Sequence, residues 1–383
     1  MTSLLIFLVL ALIGIAVWQL TKIFDLSQVG TSKDDSGVAN DYDNKVNGYL
    51  MFAFLGFIYV FTIYSLVVWG DLVLGTPASA HGPEVDNLMN ISMALIFFVQ
   101  TITQFLLHYF THKYSGKEGQ KALYLADNNK LEAIWTIIPV IVLSGLILYG
   151  LYTWNDIMYY DEEEDVMYVE VYAKQFAWEA RYAGEDNTLG KANVRYIEGV
   201  NTLGVDLEDP AANDDKAVSE LHIPTGKKVV FKFRSQDVLH SAYMPHFRAQ
   251  MNCVPGMVTQ FAFVPTVTTA EMRLDEKIVA KVIKINKIRA AKSLKLVAEG
   301  KAALDPYTFD YLLLCNKICG ASHYNMQMKI VVDTPEDFKK WLAEKPTVTQ
   351  VWKDANAPAP VEVKVVAPVA IVDSAMVVAQ VIK

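Results

Sequence analysis

Four apolar runs dominate the first half of the chain: Leu4 to Leu20, Tyr49 to Gly70, Ile91 to Tyr109 and Ala133 to Trp154. None contains Asp, Glu, Lys or Arg. Each is near the ~20 residues that a helix needs to cross a bilayer, and the fourth reaches about 33 Å at ~1.5 Å per residue. Four charge-free runs in one region predict membrane spans in preference to buried core helices. The first could instead be a signal peptide, but it lacks a basic leading segment and a small-residue cleavage site, so a retained span is expected. Lysine placement sets the orientation. Lys113, Lys117, Lys121 and Lys130 put the third loop in the cytoplasm, whereas Thr76 to Asn90 has no Lys or Arg and faces outside. The stretch from Thr21 to Gly48 carries Lys22, Lys33 and Lys45 among acidic neighbours and fits the cytoplasm less decisively. Both termini then lie outside.

Beyond an acidic run from Asp161 to Asp165 the pattern changes to short β-branched and aromatic segments. Met167–Tyr172, Glu220–Ile223, Lys228–Phe233, Met257–Val264, Phe309–Leu314 and Met326–Val332 read as strands, separated by turns such as Pro224-Thr225-Gly226 and Val254-Pro255-Gly256. Many short strands with such punctuation predict an antiparallel sandwich or barrel. Two segments depart from this. Between Glu276 and Lys301 there are eight basic and two acidic residues, with Ile278, Val282, Ile285 and Ile288 at helical spacing. A basic amphipathic helical insertion is expected, packed on the sandwich or docking a partner. The tail from Ala355 to Lys383 is rich in Ala, Val and Pro and is expected to be extended or disordered. Thr334-Pro335 opens a short helix through Leu342. The layout is thus two N-terminal spans within 1–75, a helical hairpin over 88–155, a β domain over 166–353 with its insertion at 276–301, and a tail over 354–383.

Composition narrows the function. The net charge of −8 over 383 residues gives no basic face for nucleic acid. A mean hydropathy of +0.22 argues against an ordinary soluble protein. Three cysteines are too few for a disulfide framework.

The chemistry concentrates in Cys315-Asn316-Lys317-Ile318-Cys319-Gly320-Ala321-Ser322-His323-Tyr324-Asn325-Met326. Two thiols, an imidazole and a thioether stand within twelve residues, and Asp237-Val238-Leu239-His240-Ser241 offers a second imidazole after a strong strand. Soft donors of this kind suit copper. A mononuclear blue-copper site needs one Cys, two His and often a weak Met, which leaves one thiol in surplus. Two thiolates can bridge two coppers, each completed by one His and one weak donor, from Met326 and from a backbone carbonyl between the cysteines. Zinc on Cys315, Cys319, His323 and His240 leaves Met326 without a purpose. A Cys315–Cys319 disulfide and a catalytic Cys–His pair are further alternatives. No C-x-x-C-H occurs, so no covalent haem c is expected.

Together with Val254-Pro255-Gly256 and Leu131-Glu132-Ala133-Ile134-Trp135-Thr136-Ile137-Ile138-Pro139, these motifs resemble subunit II of the haem–copper cytochrome c oxidases over roughly residues 90 to 340. The resemblance implies a transmembrane helical anchor followed by an antiparallel cupredoxin-like β-sandwich that holds a dinuclear copper centre, Cu-A. It implies His240, Cys315, Cys319, His323 and Met326 as ligands, with Lys317 binding through its carbonyl. A Glu usually stands at the position of Lys317, and its carboxylate helps bind magnesium against subunit I. Lysine lacks that carboxylate, which puts the magnesium contact in doubt. Met251-Asn252-Cys253 replaces another family motif, and Cys253 reads as a small buried side chain. Phe176 stands where electrons usually enter through a Trp, with Trp178 two residues on. Both could equally be core residues, and Tyr243 and Phe247 are further rim candidates. Glu132 takes the position of a proton-uptake carboxylate, although a carboxylate at a helix start is also ordinary.

The implied activity is that of an electron-transfer subunit. It would take electrons from a cytochrome c, or a cytochrome c domain, and pass them to haem in subunit I, where oxygen is reduced and protons are moved. The acidic run would steer a basic donor or serve as a solvated linker. The first two spans lie outside the family pattern and are expected to pack on another membrane component, such as a further respiratory complex. A bacterial-type inner membrane with the β domain on the periplasmic side is the expected location. Quinol oxidase subunit II resembles the fold but lacks the copper ligands. A membrane-anchored copper-binding or delivery protein without redox duty is the alternative from another class.

Overall fold

A computed structural model describes residues 2–28, 40–159 and 165–357. Lys33, the acidic run at 161–164 and the tail beyond residue 357 lie outside the described residues. Helices α1 (Thr2–Gln28), α2 (Asp41–Trp69), α3 (Gly82–Lys113) and α4 (Asn129–Met158) come first. Three of them, α2, α3 and α4, are long and apolar enough to cross a membrane among the described residues, and the apolar run Leu8–Ile23 lies within α1. Capping sets two of the starts. Asn40 accepts from the backbone N–H of Asp43 at 2.9 Å ahead of α2, and Asn128 accepts from that of Leu131 at 3.1 Å ahead of α4. Helices α2 and α3 approach closely because Gly48 has no side chain. A Cβ there would lie 2.5 Å from Nδ1 of His112, whose ring packs against Tyr49 and Phe52. Elsewhere the spans present bare apolar side chains, such as Val67, Ile141 and Leu148, as a lipid-facing or partner-facing surface requires.

The β domain contains strands β1 (Val166–Lys174), β2 (Ala177–Tyr182), β3 (Lys216–Val218), β4 (Leu221–Pro224), β5 (Lys228–Ser235), β6 (His240–Met244), β7 (Ala249–Cys253) and β8 (Thr259–Phe263). Helices α5 (Thr269–Met272) and α6 (Glu276–Ala298) follow, then β9 (Tyr311–Cys315), β10 (Gln327–Asp333), α7 (Pro335–Ala343) and α8 (Val348–Ala355). The strands form two five-stranded sheets, ordered β3-β2-β1-β5-β8 and β4-β10-β9-β6-β7. Alternation along β5 shows how they face each other. Val229, Phe231 and Phe233 enter the common core, while Val230 packs on the opposite face. Each such side chain contributes about 1.5–3 kcal/mol by leaving water.

The antiparallel expectation needs one correction. Each sheet contains one parallel pair, β1 with β5 and β4 with β10, so the sheets are mixed. Parallel neighbours need long crossovers, and the chain supplies them by passing through other strands between the partners. Behind the first sheet, Arg181 is 2% exposed and donates to Glu170 at 2.8 Å and Asp215 at 2.6 Å. Arg234 joins Glu170 from the other side and stacks on Tyr172. Burial of these charges is sustained by their mutual pairing.

The link between membrane and β domain is a short stretch after α2. Ala78 is fully buried and its N–H donates to the carbonyl of His246 at 2.7 Å. The Ser79 hydroxyl donates to the carbonyl of Phe247 at 2.7 Å, and Thr266 N–H donates back to Ala78 at 2.9 Å. Arg248 closes the joint, with Nε 2.6 Å and Nη2 2.8 Å from the two carboxylate oxygens of Asp86 on α3, and with Nη2 also donating to Gly75. The start of α3 and the β domain therefore stand on one side of the membrane. Loss of Arg248 strands a largely buried carboxylate, so Arg248→Ala is expected to destabilise the chain by about 3 kcal/mol. Arg273→Ala, which breaks the more exposed pair with Asp310, should cost under about 1 kcal/mol. Denaturant titration of the detergent-solubilised chain, followed by tryptophan fluorescence, checks the difference.

Candidate metal centre

The end of β9 and the start of β10 are held side by side, because Cys315 N–H donates to the carbonyl of Met326 at 3.1 Å. The chain between them folds into a loop ending in a 3₁₀ turn at His323–Asn325. Asn316 N–H donates to Ser241 at 3.0 Å, which pins the loop to β6, where Ala242 is paired with Cys315. His240 stands at the first position of β6 and is fully buried. Residues 75 positions apart thus meet at the same end of one sheet.

The donor atoms form a chain. Nδ1 of His240 lies 3.8 Å from Sγ of Cys315, which lies 3.8 Å from Sγ of Cys319, which lies 3.6 Å from Nδ1 of His323. The Lys317 carbonyl lies 3.2 Å from the Cys315 sulfur, and Sδ of Met326 lies 3.7 Å from that of Cys319. Each sulfur therefore has one imidazole and one weaker donor beside it. The ligand atoms of His240, Cys315 and Cys319 all lie within 4.8 Å of one another. All three cysteines are free. Burial, followed by the neighbouring thiol of Cys315, pushes the Cys319 thiol up to about 11, so metal capture there must displace a proton. This donor set fits copper, since every donor has a use and the soft ones are paired. A four-donor zinc site would leave the thioether idle.

Asp237 organises one side of the cluster. Its Oδ1 lies 2.9 Å from Nε2 of His240 and accepts from Val238 N–H at 2.7 Å, while Oδ2 accepts from Gln175 N–H at 2.8 Å. Burial alone would raise its carboxyl, but the hydrogen bonds from His240, Gln175 and Val238 outweigh this and hold it below the usual range. A carboxylate on Nε2 fixes the proton there and leaves the Nδ1 lone pair turned to the cysteines. The Gln175 side-chain amide also donates to the Cys319 carbonyl. Gly320, at φ +141°, is required at this contact, since a Cβ would lie 2.8 Å from Phe176 Cζ. The sequence pattern alone gives neither Asp237 nor Gln175 a role. The signal that could have found Asp237 is its spacing of three from His240.

The other candidates take distinct places. Trp178 is buried beneath the cluster, its Nε1 donating to the Met326 carbonyl at 3.4 Å and its ring edge-on to His240 at 6.1 Å. Phe176 is half-exposed on the turn above Gly320. Tyr243 is half-buried on β6. Phe247 does not belong to a rim: it is buried against Phe263 and Tyr311, toward the membrane joint, because the Pro245–Phe247 turn directs it into the core. Cys253 is fully buried opposite His240 in the β6–β7 register, and burial pushes its thiol up to about 12. Glu132 is exposed in the first turn of α4, accepting from Asn128 N–H at 3.4 Å, remote from the cluster at the far end of the helix.

A family model for the cytochrome c oxidase subunit II transmembrane domain matches residues 67–153. The chain is 31% identical over 274 residues to the alternative cytochrome c oxidase subunit 2 of Bradyrhizobium diazoefficiens, covering 71% of this chain and 84% of the relative. It is 24% identical over 303 residues to cytochrome c oxidase subunit 2 of Thermostichus vulcanus, covering 72% and 79%. Among solved structures, the periplasmic domain of subunit II of cytochrome oxidase from Bradyrhizobium japonicum aligns at 18% identity over 46% of this chain and 91% of that one, with a TM-score of 0.25. The 31% identity to the Bradyrhizobium diazoefficiens relative, sustained over most of both chains, places the chain in the cytochrome c oxidase subunit II family.

Proposed function

We propose that this chain is the electron-accepting subunit of a terminal respiratory oxidase. It takes electrons from a cytochrome c, or a cytochrome c domain, at a dinuclear Cu-A centre and delivers them to haem in subunit I, where oxygen is reduced and protons are translocated. The observation that carries this reading is the pair of sulfurs 3.8 Å apart, each flanked by its own imidazole and weak donor. The ligands are His240, Cys315, Cys319, His323, Met326 and the carbonyl of Lys317. Bound there, copper would supply a one-electron couple.

The protein's own groups do the rest. Asp237 orients His240, and Gln175 holds the loop carbonyl at Cys319. Trp178 links the Met326 backbone to the His240 ring from below, and Phe176 offers the donor an aromatic contact above Gly320. Lys317 brings no carboxylate to a magnesium site shared with subunit I. Glu132 serves proton uptake at the opposite face of the membrane. The exposed faces of α3 and α4 meet subunit I, while α1 and α2 pack on a further membrane component. The β domain then stands on the periplasmic side of a bacterial-type inner membrane. A copper-delivery role has no observation in its favour, since delivery needs an exposed, exchanging site and His240, Cys319 and Met326 are all buried.

Copper loading of the detergent-solubilised chain is expected to give two coppers per chain and a seven-line EPR hyperfine pattern. Cys315→Ser should abolish that spectrum, and Cys253→Ala should leave it unchanged. One copper with four lines, or zinc alone, overturns the reading. Removal of the Asp237 carboxylate by Asp237→Ala is expected to lower copper affinity about 10–100-fold, measured by competition with a chelator, with the backbone fold intact by circular dichroism.

A further inference from the structure

Helix α6 presents a face that nothing among the described residues covers. Its inner side is accounted for. Ile278 is buried, Val282 packs on the core, and the returning chain is tied down by Asn286 to Tyr307, Arg289 to Asp305 and Ser293 to Leu304. Beside that side runs a second apolar stripe, Val279, Ile283, Ala290, Leu294 and Val297, at the 4-7-4-3 spacing of one helical face. Its large members are open: Ile283 is 50% exposed, Leu294 76% and Val297 58%. Next around the helix come Lys277, Lys281, Lys284, Lys287, Lys292 and Lys295, all exposed. None of the six makes an ion pair with another described residue.

The place of this helix is set by the chain. The Thr76 hydroxyl donates at 2.9 Å to Asp275, whose other carboxylate oxygen caps α6. Span α2 ends at Trp69. The few residues from there to Thr76 can extend at most ~3.5 Å each, or about 25 Å, and a 3₁₀ turn at Gly70–Leu72 shortens the path. Leu72 and Val73, which lead from α2 to Thr76, and Leu274, next to Asp275, are each more than half exposed. The start of α6 therefore lies within about 25 Å of the end of span α2.

The geometry points to α6 as an interfacial helix that lies on the outer leaflet, its Val279–Val297 stripe among acyl chains and its lysines on anionic phospholipid headgroups. An apolar stripe bordered by unpaired lysines is the pattern of helices that lie in the plane of the interface. Each lysine near an anionic surface is worth roughly a fivefold change in binding. The helix would thereby hold the β domain at a fixed height and tilt, on a third support beside the joint to α3 and the end of α4.

The test uses the full copper-loaded chain in vesicles, with the photoreactive residue p-benzoylphenylalanine placed at Leu294 or at Ile283. Vesicles of phosphatidylcholine mixed with phosphatidylglycerol are compared with phosphatidylcholine alone. Illumination is expected to give lipid adducts at both positions in the mixed vesicles, reduced at least about fivefold in phosphatidylcholine alone and at high salt. Lys284→Glu, Lys287→Glu and Lys295→Glu together should lower the yield in the same way while leaving the copper content unchanged, which controls for folding. Absence of lipid adducts, while the same probe at Ile141 on α4 labels lipid in parallel, overturns the proposal. So does an adduct to another protein subunit in the whole oxidase, or a yield indifferent to lipid charge and salt.

Discussion

The stretch from Gly75 to Gly82 is threaded into the β domain as though it were one of its own loops. Ala78 enters the core, and backbone groups on both sides of it are paired with the Pro245–Phe247 turn and with the end of β8. A buried backbone segment must have its polar groups satisfied, and here the β domain provides the partners. The domain cannot swing away from the membrane without leaving those groups unpaired. The Asp86–Arg248 pair adds a charged lock to the same joint. The placement of the candidate metal centre and of α6 relative to the spans depends on this insertion.

Within the domain, the cluster is assembled from three separate stretches: the β1–β2 turn, the chain leading into β6, and the β9–β10 loop. Asp237 connects the first two through Gln175 and His240, and Gln175 connects the first to the third through the Cys319 carbonyl. Such a network is stronger than its separate bonds when every member is satisfied. It fixes the ring orientation of His240 before any metal arrives. The half-exposed Phe176 ties the site's outer surface to Gly320.

How much of this was legible in the sequence follows from the range of each interaction. The apolar runs and the strands β1, β4, β5, β8, β9 and β10 could be read because their signal is local periodicity. Strands β2, β3, β6 and β7 give a weaker signal, since they are only three to six residues long and small or polar side chains such as Ala180, His240 and Cys253 hold inward positions where β-branched residues would announce a strand. The parallel pairs were invisible, because nothing near β1 announces that β5 will lie beside it. Candidate donors were found because thiol, imidazole and thioether are rare and stand close together. Asp237 is one polar residue among others in its motif, for its role exists only once the β1–β2 turn folds over it. Phe247 is a rim candidate in the sequence, whereas the turn sends it to the other end of the sheet.

The location of α6 also bears on how the chain can change over time. The helix, 23 residues long, sits inside the stretch of 75 positions that must close for His240 to meet Cys315. With the chain that returns from it to β9 it makes up close to half of that stretch. Closure entropy grows only with the logarithm of loop length, and a doubling costs about 0.6 kcal/mol. A whole helix can therefore be added between two halves of a metal site at a thermodynamic penalty smaller than that of one lost core methyl group. The β8–β9 connection is thus a position where this sandwich can acquire new surface while its cluster stays intact.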